Sequence, residues 1–129
     1  MRGAIVSLDS SRPYGSWRWG GPQWTGQIGS GAGGRLTGIT VAVSDPAVVA
    51  ARWGEVLGVG VAEERGLPAL GLDGAEVRFE EAAGQRAEGL VEIAVELAGE
   101  PGGVRETIEL GGVSLELTRE GRAAAASQP

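Results

Sequence analysis

An α+β fold, one main helix packed on a mixed or antiparallel sheet, is predicted by three features of the sequence. A strand pattern gives way to a helix pattern across one marked boundary between Leu36 and Gly58. Downstream, four or five short segments alternate apolar and polar residues with the period of half-buried strands. Between them lie Asp73-Gly74 and Gly111-Gly112, tight turns that join neighbouring strands as hairpins. A single helix covers one face of such a sheet and leaves the other free.

Taken in order, Gly3 to Leu8 reads as a short strand with Ala4, Val6 and Leu8 on one face. Ser10 to Gly34 reads as irregular: turn residues recur throughout, and its Gly-rich end has the composition of a flexible linker. This arm nevertheless holds Tyr14, Trp17, Trp19 and Trp24. Each indole removes large apolar area from water when buried, worth on the order of 2 to 3 kcal/mol. In the next strand Ile39, Val41 and Val43 alternate with Gly38, Thr40 and Ala42. Asp45 is placed to accept from free backbone N–H groups, and Pro46 occupies a first helical position where its missing donor costs nothing. The helix that follows carries Val49, Trp53, Val56 and Leu57 on one stripe, and Gly58 is suited to end it.

Val59 to Glu64 and Pro68 to Leu72 read as a strand or frayed pair, returned by Asp73-Gly74 into Ala75 to Glu80. There Val77 and Phe79 share a face opposite Glu76, Arg78 and Glu80. After a polar loop, Val91, Ile93, Val95 and Leu97 alternate with Glu92, Ala94 and Glu96, the clearest strand in the chain. Val104 to Leu110 and Val113 to Thr118 follow as a hairpin pair, and residues 121–129 are small and polar enough to be a disordered tail. The division is residues 1–34 for the N-terminal strand, Trp-rich arm and linker, 35–120 for the folded module, and 121–129 for the tail. In register, the alternations place Gly38, Thr40, Glu92, Glu96, Ser114, Glu116 and Thr118 on the face away from the helix.

Composition narrows the chemistry. The 129 residues suffice for one domain and one core, built mainly from aliphatic side chains because aromatics are 5% of the sequence. With no cysteine and no histidine, there is no disulfide framework and the commonest metal ligands are missing. All eleven basic residues are arginine, which excludes a Schiff-base lysine and a phosphate-loop lysine. The net charge of −6 is uneven: residues 1–54 hold five arginines against two acids, net +3, and the remainder holds six against fifteen, net −9. Nucleic acid is not an expected partner for the acidic part, no apolar run reaches membrane-spanning length, and no signal-peptide layout is present, so a cytoplasmic location is expected.

The run Ser44-Asp45-Pro46, Ala50-Ala51-Arg52-Trp53 and Glu55-Val56-Leu57-Gly58, following a hydrophobic strand, resembles the vicinal oxygen chelate superfamily, the glyoxalase, bleomycin-resistance and extradiol-dioxygenase group. The resemblance covers about Leu36 to Arg119, and Gly3 to Asp9 is similar to the closing strand of a preceding module. It implies a βαβββ module whose curved sheet forms part of a cup for a metal or an organic ligand. A lone module would form half a cup, so a homodimer is expected to complete it.

The same resemblance implies metal ligands on the first and last strands of each module, facing the cup. Gly38 stands where a histidine usually falls and Ser7 where the first module would place a glutamate; both depart from the pattern. Glu116 matches the glutamate that closes the second module and is the candidate catalytic residue. One carboxylate does not hold a divalent ion, so no metal or other cofactor is expected. Glu92, Glu96 and Glu116 form a candidate carboxylate cluster on what is otherwise a solvated sheet face, and Arg78 is placed to pair with one of them or to orient an anionic ligand. Thr40 lies on the same face. Trp17 and Trp19 either wall a ligand or pack the arm against the module or a partner. The reading is a glyoxalase-like protein binding a small organic ligand between subunits without a full metal site. A lyase, isomerase or dioxygenase of the same superfamily, and a non-catalytic structural or regulatory fragment, are the alternatives, and the residues do not decide whether the chain is an enzyme.

Overall fold

The β-branched run of β1 (Gly34–Val43) ends at Asp45, whose carboxylate accepts from the Val48 N–H at 3.1 Å and starts α1 (Pro46–Leu57) with proline in its first turn. This is a computed structural model, and it describes residues 10–13, 16, 18–27, 33–84, 87–98 and 105–119. Gly58 closes the helix in the left-handed region at φ 72°, and both its N–H and that of Val59 turn back to the Gly54 carbonyl. Four strands follow as hairpins or short returns: β2 (Val61–Glu64), β3 (Leu67–Leu72), β4 (Ala75–Glu81) and, after a loop, β5 (Gly89–Leu97). β6 (Arg105–Leu110) and β7 (Val113–Thr118) complete the set across Gly111-Gly112, both at positive φ. Among the described residues no helix is long and apolar enough to cross a membrane.

The seven strands form one mixed sheet in the order β2-β3-β4-β1-β5-β7-β6. β1 runs parallel to β4 and antiparallel to β5, and β5 runs parallel to β7. The order carries an internal two-fold relation about the β1–β5 pair. On one side β1, α1, β2, β3 and β4 make a complete βαβββ run within Gly34 to Glu81. On the other, β5, β6 and β7 repeat the placement of β1, β3 and β4, with no helix and no counterpart of β2 among the described residues. The stretch expected to be a single module therefore divides into one full half and one reduced half. Both neighbours of β1 are strands of this set and the edges among the described strands are β2 and β6, so an additional strand has no place beside β1. The predicted N-terminal strand Gly3–Leu8 and the tail 121–129 lie outside the described residues, as do most of the Gly-rich linker and Val104.

The core sits between α1 and the first half of the sheet: Val41 and Val43 from β1, Leu70 from β3, Val77 and Phe79 from β4, and Val49, Ala50 and Trp53 from α1. Trp53 meets Phe79 edge to face, with ring centroids 5.3 Å apart. The helix stripe is rotated from its expected position: Val56 is exposed, and Ala50 and Gly54 are buried instead. The reason is close approach. A Cβ on Gly54 would lie 2.7 Å from the Val59 carbonyl oxygen, so the chain leaving the helix folds directly over this glycine. The arm, expected to be irregular, contains two short 3-10 helices, Arg18–Gly20 and Trp24–Gln27, which pack on each other.

Over β5, β7 and β6 the corresponding face has no helix among the described residues. Ile93, Val95, Leu115, Leu117, Ile108 and Leu110 lie there in register, half-buried or exposed, with Leu110 at 72%.

Two substitutions test this account of the helix. Asp45→Ala is expected to lower stability by about 1 kcal/mol through loss of the cap. Gly54→Ala is expected to lower it by about 1–3 kcal/mol through overpacking against Val59, although alanine is the better helix former by about 1 kcal/mol. Urea unfolding of both variants measures this, and a stabilised Gly54→Ala protein would contradict the packing described.

Candidate functional site

Strand alternation delivers a second set of side chains to the face opposite α1. Register places Gly38 beside Ala94 and Glu76, Thr40 beside Glu92 and Arg78, and Glu116 beside Ala94 and Thr107. The polar face expected from the sequence is thus assembled in register, and it bounds a cavity of about 440 Å3, within the ordinary range for small-molecule sites.

The enclosure comes from curvature within one chain. Arg65, in the β2–β3 turn, reaches to 3.8 Å from Glu116 on β7, four strand intervals from β3. In a flat sheet those strands would stand roughly 19 Å apart, so the sheet must curl until its two halves face each other. Within one chain, β5, β7 and β6 thus form a wall of the cavity that faces the β2–β3 turn.

The cup floor is small and its walls are charged. Gly38 and Ala94 lie side by side at the centre, and a Cβ on Gly38 would approach Glu76 Cγ to 3.1 Å and the Glu76 carbonyl oxygen to 3.3 Å. A side chain at this position, where the family resemblance would place histidine, would need Glu76 to give by a few tenths of an ångström. Beneath the floor Arg78, 3% exposed, is the hub of a polar network. Its Nη1 donates to Glu76 Oε1 at 2.9 Å, its Nε to Thr40 Oγ1 at 3.2 Å, and its Nη2 to Glu92 Oε1. Thr40 Oγ1 in turn donates to Glu92 Oε1 at 3.1 Å. Each nitrogen of this buried guanidinium donates to a carboxylate or a hydroxyl, so its desolvation is compensated.

Arg35 holds Glu96 through Nε at 2.8 Å and Nη2 at 2.6 Å, and donates from Nη1 to the Gly74 carbonyl at 3.1 Å. Arg65 Nη1 and Arg105 Nη2 lie 3.8 Å and 4.0 Å from the same Glu116 Oε2, beyond hydrogen-bond range. Arg119 lines the same cavity and makes no ion pair among the described residues. Five arginines face three glutamates in the cavity lining, a cationic cup in a chain of net charge −6.

Of the residues singled out in the sequence, Arg78, Glu96 and Glu116 line this cavity, and Thr40 and Glu92 support it from below through Arg78. Trp17 lies outside the described residues, and Trp19 falls in the first 3-10 helix. The sequence reading missed Arg35, Arg65, Arg105, Arg119 and Glu76. Arg65-Gly66 between two strands was a readable two-residue turn, but nothing local revealed that its side chain crosses the cup. No group of three or more carboxylates converges on a metal position among the described residues. Glu116 does not fit the metal role the resemblance implies: the cations nearest its carboxylate are two guanidiniums, which disfavour a divalent ion there.

No protein-family model matches this chain, and no curated protein matches it in sequence. Among solved structures, a hypothetical protein from Staphylococcus aureus is similar with a TM-score of 0.55 and 15% identity, over 67% of this chain and 33% of that one. This chain thus spans about a third of that protein's length, and at this identity the likeness is one of fold. Methylmalonyl-CoA epimerase from Mycobacterium tuberculosis matches with a TM-score of 0.49 and 18% identity, over 71% of this chain and 91% of that chain. A hypothetical protein from Bacillus halodurans C-125 matches with a TM-score of 0.44 and 14% identity, over 70% and 97%.

The network under the floor predicts a graded series. Arg78→Leu leaves two carboxylates with no counter-ion and is expected to cost about 3–5 kcal/mol. Arg78→Lys recovers only part of it, because one ammonium cannot span Thr40, Glu76 and Glu92. Denaturant unfolding checks this, and equal stability of Arg78→Lys and the parent protein would show that the fork geometry is immaterial.

Proposed function

We propose that this chain is a glyoxalase-like small-molecule binding protein whose cup takes an organic anion without a metal ion. The observation that carries the reading is the convergence of five arginines on one cavity of about 440 Å3, in an otherwise acidic protein. Arginine presents planar, permanently charged donors that match carboxylate and phosphate oxygens, and partial enclosure strengthens each such contact. The strand motif resembling the vicinal oxygen chelate superfamily supports the same reading, since it implies a ligand cup on this face of the sheet.

A second reading, an enzyme of that superfamily with Glu116 as general base, is favoured by one feature. Glu116 is the single cavity glutamate without a hydrogen bond among the described residues, its nearest cations standing 3.8 Å and 4.0 Å away. A carboxylate so placed is available to take a proton from a bound substrate. Homodimer formation is proposed on new grounds: a second copy would cover the apolar face of β5, β7 and β6, a strip whose described residues place Glu106 as its one charge. Native mass spectrometry tests this; a monomer at micromolar concentration would end the dimer proposal.

Thermal denaturation with carboxylates and phosphorylated small molecules tests the main reading. Saturating ligand at about a hundredfold over Kd stabilises the native state by about 2.7 kcal/mol, a rise of several degrees in Tm. Mn2+, Ni2+, Zn2+ and Fe2+ alone are expected to give no rise. Stabilisation by a metal and not by any anion would replace this reading with metal-dependent chemistry.

A further inference from the structure

The charged groups of the cup are not equivalent. Arg78 is buried with its donors committed to Thr40, Glu76 and Glu92, and Arg35 is committed to Glu96 and the Gly74 carbonyl. These two shape the wall and have little left to offer a ligand. Arg65 and Arg105 are different: their side chains are 51% and 56% exposed, and each approaches Glu116 without reaching hydrogen-bond distance. Arg119 adds a third guanidinium to the same cavity. Two arginines, from the β2–β3 turn and β6, thus flank one carboxylate, and a third, just beyond β7, lines the same cavity.

The backbone of Arg65 adds an independent observation. It lies at φ 53°, the one described non-glycine residue in the left-handed region, ahead of Gly66 at φ 78°. Two successive positive φ values suit asparagine or glycine, and arginine there is the strained choice. The turn has no need of an arginine, whereas its side chain is what closes the cup over Glu116.

Resting on the anion-binding reading, we propose that the ligand carries a doubly charged oxyanion head seated between Arg65, Arg105 and Arg119, and that Glu116 is a built-in counter-ion which this head displaces. Glu116 balances the rim by Coulomb attraction alone, since neither guanidinium is close enough to donate to it. A phosphate or a pair of carboxylates offers the several acceptor oxygens that forked donors require, and a lone carboxylate offers too few for three arginines. Three guanidiniums against one carboxylate leave an excess of two positive charges in this part of the cavity, which favours a doubly charged head over a singly charged one.

Calorimetry in low-salt buffer with inorganic phosphate, succinate and acetate tests this, using the full chain and the variants Arg65→Asn, Arg105→Gln, Arg35→Gln and Glu116→Gln. Phosphate or succinate is expected to bind at least tenfold more tightly than acetate. Arg65→Asn and Arg105→Gln should each weaken that binding about tenfold, with the Tm of Arg65→Asn equal to or above that of the parent chain. Glu116→Gln should tighten binding severalfold, because the competing internal anion is removed. Weaker or unchanged binding in Glu116→Gln overturns the counter-ion role. Anion binding that is insensitive to Arg65 and Arg105 but lost in Arg35→Gln places the head at the other wall and overturns this inference while leaving the anion-binding reading intact. Absence of binding by all three probes overturns both.

Discussion

The buried guanidinium of Arg78 is the constraint on which the site depends. It sits on β4, its partner Thr40 on β1, and its partner Glu92 on β5, so one side chain ties the strand closing the first half to the strand opening the second. Such a group stays in a low-dielectric position only when its charge is paired and its nitrogens are partnered, which makes the relative placement of these three strands specific. A slip of one residue in either pairing would turn Thr40 or Glu92 to the helix face and leave the charge unmatched.

That placement sets up an asymmetric molecule. On one face α1 buries Trp53, Val49 and Ala50 against Val41, Val43, Leu70, Val77 and Phe79, and this half supplies the main core. The second half has three strands and no helix among the described residues, and its apolar face is left half open there. On the opposite face the sheet curls until Arg65 and Arg105 flank Glu116. The folded scaffold lies on one side of the sheet and the cationic cavity on the other.

Charge is partitioned in the same way. Much of the chain's acidity faces water, as at Glu55 and Glu63, whereas the cup gathers arginines from elements distant in sequence. Glutamates inside the cup each stand next to an arginine, which keeps the walls ordered and leaves the excess positive charge at the Glu116 rim. A small floor made by Gly38 and Ala94 gives this charge room to act on a ligand.

Local sequence was sufficient for the elements. The Asp45-Pro46 start, the Gly58 stop, the alternation through Ile93 to Leu97 and the Asp73-Gly74 and Gly111-Gly112 turns are all short-range properties, because caps, pleats and turns depend on residues a few positions apart. The face bearing Thr40, Glu92, Glu96 and Glu116 was legible for the same reason, since side-chain period in a strand is a backbone property. Three matters were not. The split of residues 34–118 into a full and a reduced half depends on which strands pair, and β5 binding β1 instead of opening a new layer is a non-local choice. The helix stripe includes Gly54 and not Val56 because the chain after Gly58 folds over it. Arg65 and Arg105 meet around Glu116, and Arg119 shares their cavity, only because the whole sheet bends. Spacing along the chain carries the period of each strand, and curvature summed over seven strands decides which of their side chains share a cavity.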